Sequence, residues 1–159
     1  MLETYIGLGS NLENPINQIL IALKELKKLP NSKLKSVSSL YESPPLDNTK
    51  QPNYINVVAK LNTNLKPQEL LRECQNIENK QGRLRAEKWG ARIIDLDILL
   101  YGDKVINADI LTIPHYDIKN RAFVLVPLYE IAPELIIPNL GKLKNLVTNC
   151  NKKSLIKIN

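Results

Sequence analysis

Two aspartates that follow a run of cationic residues are the most informative feature of the sequence. Asp95 and Asp97 alternate with apolar residues, so a strand over residues 93–100 would direct both carboxylates to one face, with their Cα atoms about 6.5 Å apart. The preceding cations are Arg83, Arg85, Lys88 and Arg92. Carboxylates suit Mg²⁺, which also takes phosphate oxygens, and arginine binds phosphate bidentately. The segment therefore predicts a site for a metal-bound polyphosphate.

The same Asp-x-Asp pattern also occurs on the solvated face of ordinary strands, and taken alone it favours that structural interpretation. The density of upstream cations favours a functional one. Exposed ion pairs contribute only about 0–1 kcal/mol each, so a chain gains little stability from such a cluster. Carboxylates, a divalent metal and arginines together are typical of phosphoryl transfer.

Length and composition limit the classes of protein to consider. A chain of 159 residues predicts one domain, 1–159, that buries a core without disulfides or metals. The net charge of +6 and pI near 9.3 favour an anionic partner but do not separate nucleotides from nucleic acids. Cys74 and Cys150 form no CxxC motif, which argues for a reducing compartment and against structural zinc. Without a signal-peptide pattern or a membrane-length apolar run, we expect a soluble cytoplasmic protein with no membrane partner.

Hydrophobic periodicity and turn residues predict a β-α-β-β-α-β order with additions. The predicted elements are a strand at 4–8 with a tight exit turn at 7–11, a helix at 14–28 with Asn14 as N-cap, strands at 33–42 and 54–62, a helix from Pro67 to a C′ residue at Gly82, the strand at 93–100, a short strand at 105–106 and a helix within 120–131. In the strand at 93–100, one face would carry Ile94, Leu96, Ile98 and Leu100.

Two helices on one face of a largely antiparallel sheet predict an α+β sandwich of the ferredoxin-like kind. That topology hosts many functions and does not decide among them. A dinucleotide-binding fingerprint is excluded near the start of the chain, because Leu12 stands where G-x-G-x-x-G requires its third glycine.

Several separated motifs span nearly the whole chain. They are Tyr5-Ile-Gly-Leu-Gly-Ser-Asn11, Tyr41-Glu-Ser-Pro-Pro45, Gln51-Pro-Asn-Tyr-Ile-Asn56, Trp89-Gly-Ala-Arg-Ile-Ile-Asp-Leu-Asp-Ile-Leu99, Ile113-Pro-His115 and Arg121-Ala-Phe123. In this order they resemble the 6-hydroxymethyl-7,8-dihydropterin pyrophosphokinase family. The resemblance implies an enzyme of folate synthesis that moves the β,γ-diphosphate of ATP onto the pterin hydroxymethyl group and releases AMP.

The resemblance also implies a nucleotide and metal site. It makes Asp95 and Asp97 the ligands of two Mg²⁺ ions, with Asp97 the best candidate for any proton role, and places Arg83 and Arg92 on the transferred phosphates in a loop that closes over ATP. The implied nucleotide-binding residues are Gln75, Glu78, Arg85, Lys88, Trp89, Arg92, Ile98, Thr112, His115, Tyr116 and Arg121. Two alternatives stay open, since Gln75 and Glu78 could form a solvated helix face and a lone histidine is more often structural.

For the pterin, the resemblance implies aromatic walls and an oriented polar edge. Tyr54 and Phe123 would stack on the ring and Asn56 would bind its edge, since an amide offers both donor and acceptor. The implied pterin residues are Ser43, Pro44, Pro45, Leu46, Tyr54, Asn56, Trp89 and Phe123. The alternative for Tyr54 and Phe123 is ordinary core packing.

The sequence departs from its relatives at two positions and leaves three other classes to weigh. Ala91 stands where many relatives have proline, and Ile110 where some carry a basic nucleotide contact. A nucleic-acid-binding domain is disfavoured because the strand at 93–100 would carry two acids instead of stacking aromatics, and a partner-binding protein would not need acids and arginines together. A metal-dependent nucleotide hydrolase would differ in releasing AMP without pterin. We expect a monofunctional monomer whose partners are ATP and a dihydropterin, with no nucleic acid.

Overall fold

A computed structural model of the chain describes residues 1–45, 50–82 and 93–158. Its main elements are β1 (Leu2–Ser10), α1 (Pro15–Lys27), β2 (Ser32–Val37), β3 (Leu40–Ser43), β4 (Tyr54–Thr63), α2 (Pro67–Lys80), β5 (Asp95–Tyr101), β6 (Ile106–Ala108), β7 (Leu111–Ile113), α3 (Ala122–Ile131), β8 (Ile136–Ile137), β9 (Gly141–Lys142), α4 (Leu143–Asn149) and β10 (Ile156–Ile158). A 3₁₀ turn, Ile118–Asn120, precedes α3.

The main sheet of the described chain is antiparallel in every pairing, with strand order β10-β3-β4-β1-β5 and β2 also paired to β4. Strands β1 and β4 are central, and β5, which carries the two acids, lies beside β1. The predicted β-α-β-β-α-β order and the α+β, ferredoxin-like fold class are confirmed. The additions are the small hairpins β6–β7 and β8–β9, helices α3 and α4, and strand β10, which pairs with β3.

All three helices predicted from sequence are confirmed, the third as α3, with one difference at the N-terminus of the first. Pro15 begins α1, but Asn14 has a left-handed backbone (φ 64°), and in the described chain its side chain makes no capping hydrogen bond. Its carbonyl instead accepts from the Gln18 amide at 3.1 Å. Helix α2 begins at Pro67 and is followed by Gly82 at φ 86°, as the C′ glycine rule predicts.

Two of the predicted strand boundaries are wrong. The single strand at 33–42 is two strands, because Ser38 interrupts it: the Val58 amide donates to Ser38 Oγ at 2.9 Å, so a side chain replaces a backbone acceptor. The exit turn at 7–11 is also wrong, since β1 continues to Ser10. Its glycines pair with β4 on one side and β5 on the other, and hydrogen bonding from two neighbouring strands outweighs the tendency of glycine to form turns.

The two faces of the sheet carry separate apolar clusters. On one face, α1 and α2 pack on the sheet, and the buried residues include Ile6, Leu8, Ile19, Leu26, Val57, Leu70, Cys74, Ile77, Leu96 and Ile98. On the other, α3 packs on part of the sheet and α4 packs against α3. The buried residues of this cluster include Tyr5, Val58, Leu99, Leu100, Val124, Leu125, Leu128 and Leu143. Both clusters are built from apolar side chains and tyrosines, and Asn56, Asp95 and Asp97 lie outside them.

A β-bulge in β5 corrects one more prediction. Tyr5 pairs with Leu100 while the next residue, Ile6, pairs with Ile98, so Leu99 is an extra residue in the strand. The bulge inverts the alternation beyond it. Leu100 therefore joins Leu99 in the cluster beneath α3, and Tyr101 takes the place predicted for Leu100 in the cluster beneath α1 and α2.

Candidate active site

The acids and the pterin-edge amide predicted from sequence lie on the same face of the sheet. Directly paired residues of antiparallel strands share a face. Gly9 of β1 pairs with Asp95 on one side and with Asn56 on the other, and Gly7 pairs with Asp97. The predicted common face of Asp95 and Asp97 is therefore confirmed, and Asn56 lies across one strand from it.

The glycines of β1 form a floor without side chains between these groups. A Cβ atom on Gly9 would lie 3.4 Å from Asn56 Oδ1 and 3.7 Å from Tyr54 Cδ1, whereas one on Gly7 would meet the Leu99 side chain at 3.4 Å. A side chain at Gly9 would thus occupy the space between the acids and the amide. Sequence reasoning missed Gly9 because it assigned the glycines to a turn, although extending the strand's alternation from Tyr5 would have found it.

Asp97 lies beside two other residues predicted for the nucleotide site. His115 Nε2 and Arg121 Nη1 each lie 3.8 Å from Asp97 Oδ2. The side chain of Asp97 is 36% exposed, against 12% and 15% for the histidine and the arginine. The carboxylate of Asp97 is therefore open to solvent, whereas the imidazole of His115 and the guanidinium of Arg121, on the side away from β1, are more buried.

The tautomer of His115 follows from its neighbours. The backbone amide of Asp117 donates to His115 Nδ1 at 3.2 Å, so this nitrogen is the acceptor and Nε2 carries the proton that faces Asp97. Burial and, to a smaller extent, the positive charge of Arg121 together lower the pKa of His115 to about 4. The imidazole is therefore neutral near pH 7, and it acts as a hydrogen-bond donor rather than as a cation.

Asp117 is a further part of this cluster that sequence reasoning missed. Its carboxylate accepts from Arg121 Nε at 3.3 Å and from Asn120 Nδ2 at 2.8 Å. The hydrogen bond from Asn120 lowers the pKa of Asp117, and the guanidinium of Arg121 contributes to the same shift. The i, i+4 spacing of Asp117 and Arg121 was the available signal, and the pairing fixes the orientation of the guanidinium.

Two aromatic rings lie close to the guanidinium of Arg121. Its Cζ is 5.9 Å from the ring centre of Tyr116 and 5.6 Å from that of Phe123, within the usual range of cation–π contacts. Tyr116 is 72% exposed and stacks on His115 at 4.7 Å. Thr112 is an exposed residue of β7, two residues after the exposed Ile110. Arg121 thus stands between the predicted nucleotide side and the predicted pterin side.

The amide of Asn56 has a defined orientation. Its Nδ2 donates to the Tyr41 carbonyl at 3.3 Å and to Ser43 Oγ at 2.8 Å. Because a backbone carbonyl can only accept, the NH₂ group must face β3, and Oδ1 is the atom directed towards Gly9. Tyr54 and Phe123 are both half-buried near this amide's face of the sheet.

The predicted proline loop is described only in part. Pro44 is exposed and Pro45 half-buried, directly after β3. The remaining predicted site residues fall outside the described ranges: Leu46, Arg83, Arg85, Lys88, Trp89 and Arg92, together with the departure at Ala91.

Three residues predicted to bind ATP lie apart from the acid pair's face. The Ile98 side chain is 4% exposed in the cluster beneath α1 and α2, so only its backbone is available to a nucleotide. Gln75 of α2 is exposed, but Glu78 is 2% exposed and its Oε2 accepts from the Leu96 amide at 2.8 Å. The structure gives Glu78 a role in holding α2 to β5.

The donor set for a metal consists of few protein groups. Within the described ranges, no three His, Cys, Asp or Glu side chains are grouped to hold a metal ion. Two carboxylates that share a face fit a hard cation that takes its other oxygens from water and phosphate.

None of the described helices is long and apolar enough to cross a membrane.

Comparisons with known proteins agree on one family. The model of the 7,8-dihydro-6-hydroxymethylpterin-pyrophosphokinase (HPPK) family matches residues 5–133. A Haemophilus influenzae protein named 2-amino-4-hydroxy-6-hydroxymethyldihydropteridine pyrophosphokinase is 50% identical over 159 residues, which cover 100% of this chain and 99% of that protein. A Pseudomonas aeruginosa protein of the same name is 47% identical over 148 residues, covering 93% and 91%.

Solved structures share the fold at much lower identity. A crystal structure of Plasmodium falciparum HPPK-DHPS with SDX-DHP superposes with a TM-score of 0.76 at 17% identity. The match covers 99% of this chain and 47% of that one, so the present chain spans about half the length of the solved protein. At this identity the likeness supports the fold alone.

Proposed function

This chain belongs to the 7,8-dihydro-6-hydroxymethylpterin-pyrophosphokinase family, and from that premise we infer how its site performs the reaction. The enzyme transfers the β,γ-diphosphate of ATP to the hydroxymethyl group of 6-hydroxymethyl-7,8-dihydropterin in folate biosynthesis and releases AMP. One observation carries the assignment of the site. Asp95 and Asn56 both pair with Gly9, so they share one face of the sheet with no side chain between them.

We propose that Asp95 and Asp97 hold two Mg²⁺ ions together with the phosphates of ATP. The two carboxylates share a face, and they leave the remaining coordination positions to water and phosphate oxygens, as Mg²⁺ requires. When bound, Mg²⁺ neutralises the charge on the phosphate oxygens and aligns the attacking and leaving oxygens.

Around Asp97, we assign the neutral His115 and the cationic Arg121 to the phosphates. Nε2–H of His115 can donate to a phosphate oxygen near Asp97, and it adds no second positive charge next to Arg121. Arg121 supplies attraction for the polyphosphate and is oriented by Asp117. The roles of Gln75, Glu78, Arg83, Arg85, Lys88, Trp89, Arg92, Ile98, Thr112 and Tyr116 towards ATP stay predictions.

On the pterin side, Asn56 would bind the ring edge. With its NH₂ group engaged by β3, the Oδ1 atom accepts from a ring N–H. Tyr54 and Phe123 would contact the two ring faces, and Ser43, Pro44, Pro45, Leu46 and Trp89 would complete the pocket. The absence of a side chain at Gly9 leaves room for the substituent that must reach the phosphates.

The chemical step needs alignment more than a strong base. The pterin hydroxyl oxygen forms a bond to the β-phosphorus, the bond from the β-phosphorus to the bridging oxygen of AMP breaks, and the hydroxyl proton leaves. His115 is a poor base, because its Nδ1 accepts from the Asp117 amide and its Nε2 already carries a proton. Positioning and charge stabilisation therefore carry the catalysis, and Asp97 is the candidate proton acceptor.

We further propose a cytoplasmic monomer that binds small molecules and no nucleic acid. Cys74 and Cys150, both within the described chain, are free thiols, which suits a reducing compartment. Strand β5, assigned here to the phosphate site, presents acids rather than the aromatic platforms of nucleic-acid-binding sheets.

The test is AMP release from Mg·ATP with and without 6-hydroxymethyl-7,8-dihydropterin, with the pterin product followed by mass. AMP that depends on pterin, together with a diphosphate added to the pterin, is the expected result. Release of AMP without pterin would point to a nucleotide hydrolase instead. A folded protein with no turnover would contradict both enzymatic functions.

A further inference from the structure

Glu130 connects helix α3 to strand β3, and the reaction described above does not use it. Its Oε1 accepts from the Tyr41 hydroxyl at 2.6 Å. Its Oε2 accepts from the Ser39 amide at 2.9 Å and from Ser39 Oγ at 3.0 Å. A single carboxylate thus binds three donors from Ser39, which directly precedes β3, and Tyr41 within it, about ninety residues earlier in the chain.

The direction of these hydrogen bonds is well defined. Partial loss of water around the Glu130 carboxylate would by itself raise its pKa, but the hydrogen bonds from Tyr41 and Ser39, with Lys157 nearby, outweigh this and lower it. Burial and the neighbouring carboxylate raise the pKa of the Tyr41 phenol. Glu130 is therefore an anion that accepts, and Tyr41 is a neutral phenol that donates.

Tyr41 continues this connection into the candidate pterin site. Its carbonyl accepts from Asn56 Nδ2, the amide that is also held by Ser43 of the same strand. The pairing register places Tyr41 in one row with Asn56, Gly9 and Asp95, all on one face of the sheet. The same residue that binds Glu130 therefore orients the amide assigned to the ring edge.

The other end of the connection is the helix that carries Phe123. Glu130 follows Phe123 by seven residues in α3, which is close to two helical turns and places both on the same side of the helix. The hydrogen bonds of Glu130 thus hold the Phe123-bearing helix against the strand that orients Asn56.

We propose that Glu130 is a positioning residue for the pterin: by binding Tyr41 and Ser39 it sets the spacing between Phe123 and Asn56. The inference rests on the proposed function, since it concerns the substrate assigned to these two residues. A purely structural role is a weaker explanation, because α3 is already anchored by the buried Val124, Leu125 and Leu128, whereas Glu130 is exposed.

The experiment measures kcat and both KM values for Glu130→Ala, Glu130→Gln and Tyr41→Phe. In Glu130→Ala we expect the KM for pterin to rise about tenfold while kcat and the KM for ATP change less than about twofold. Tyr41→Phe removes one donor and should raise the KM for pterin roughly threefold. Glu130→Gln should recover part of the loss, since its amide oxygen still accepts from Ser39.

Glu134→Ala is the matched control, because Glu134 is an exposed glutamate four residues further on for which the described chain provides no hydrogen-bond partner. It should leave all three constants unchanged. Equal changes in both KM values, a fall in kcat alone, or no change in Glu130→Ala would overturn the inference. If Glu130→Ala fails to fold by circular dichroism, Tyr41→Phe decides by the same criterion. A wild-type enzyme without pterin-dependent AMP release would instead contradict the proposed function.

Discussion

On one face of the sheet, α1 and α2 cover Leu8, Leu96 and Ile98, whose exposed fractions are 2, 5 and 4%. On the opposite face, α3 packs on Tyr5 and Leu99, and the next positions along the same strands are glycines and acids. Up to the bulge at Leu99, strand β5 contributes to both faces through ordinary alternation. The comparison shows that the same period-2 pattern builds a core where helices cover the sheet and a chemical site where the cover ends.

Substitution of Asp97 tests the open face and should have the largest effect. Asp97→Ala should lower pterin-dependent AMP release by roughly 10³-fold, because it removes a proposed metal ligand from the phosphates. The thermal midpoint should change little, since the side chain is 36% exposed. Asp103→Ala, in the exposed turn after β5, is the control. If Asp97→Ala unfolded, Asp97 would be a structural residue, and the open face would support the fold as the covered face does.

Substitution of Leu96 tests the covered face of the same strand. Leu96→Ala should destabilise the protein by about 2–5 kcal/mol, the usual cost of deleting a buried leucine side chain. The kcat of the molecules that remain folded should be unchanged. Urea unfolding measures the first quantity and AMP release below the transition the second. Leu20→Ala, at a position 49% exposed on α1, should cost far less. A loss of kcat without a loss of stability would contradict the comparison.

A methyl group at Gly9 tests the floor of the open face. The added Cβ is sterically tolerated at 3.4 Å from Asn56 Oδ1, so Gly9→Ala should fold normally. It should raise the KM for pterin about tenfold, because it occupies space between Asn56 and the acids. Gly7→Ala, whose methyl meets Leu99, should have a smaller effect on that constant. Equal rises in the KM for pterin in Gly9→Ala and Gly7→Ala would show that the space above Gly9 has no particular role in pterin binding.

The smallest expected effect concerns the link between α3 and β3. The folded state lowers the pKa of Glu130 from its ordinary value of 4.5, so its ionic stabilisation is complete above that value and is lost as the pH falls through the folded pKa. Relative to Glu130→Gln, the wild type should be more stable at pH 7 by at most about 1 kcal/mol, since solvent screens this exposed carboxylate. Urea unfolding along a falling pH series should show the difference vanishing. If the stability difference between the wild type and Glu130→Gln grew as the pH fell, the assignment of Glu130 as an anion would be wrong.

Local signals in the sequence predicted most of the fold. Pro67 and Gly82 marked the ends of α2 because proline suits a first helical turn and glycine tolerates a left-handed C′. Signals that depend on neighbours were misjudged. The glycines of β1 read as a turn because their ladder partners are 47 or more residues away in sequence, and the bulge at Leu99 has no local marker.

The sequence by itself determined that Asp95 and Asp97 share a face, because side chains alternate along any strand whatever it pairs with. Only the tertiary structure decided what those carboxylates face. The pairing register brought Asn56 level with Asp95 across Gly9, and the segment after β7 placed His115 and Arg121 against Asp97. Residues far apart in sequence meet there through long-range pairing and packing, which no local periodicity encodes.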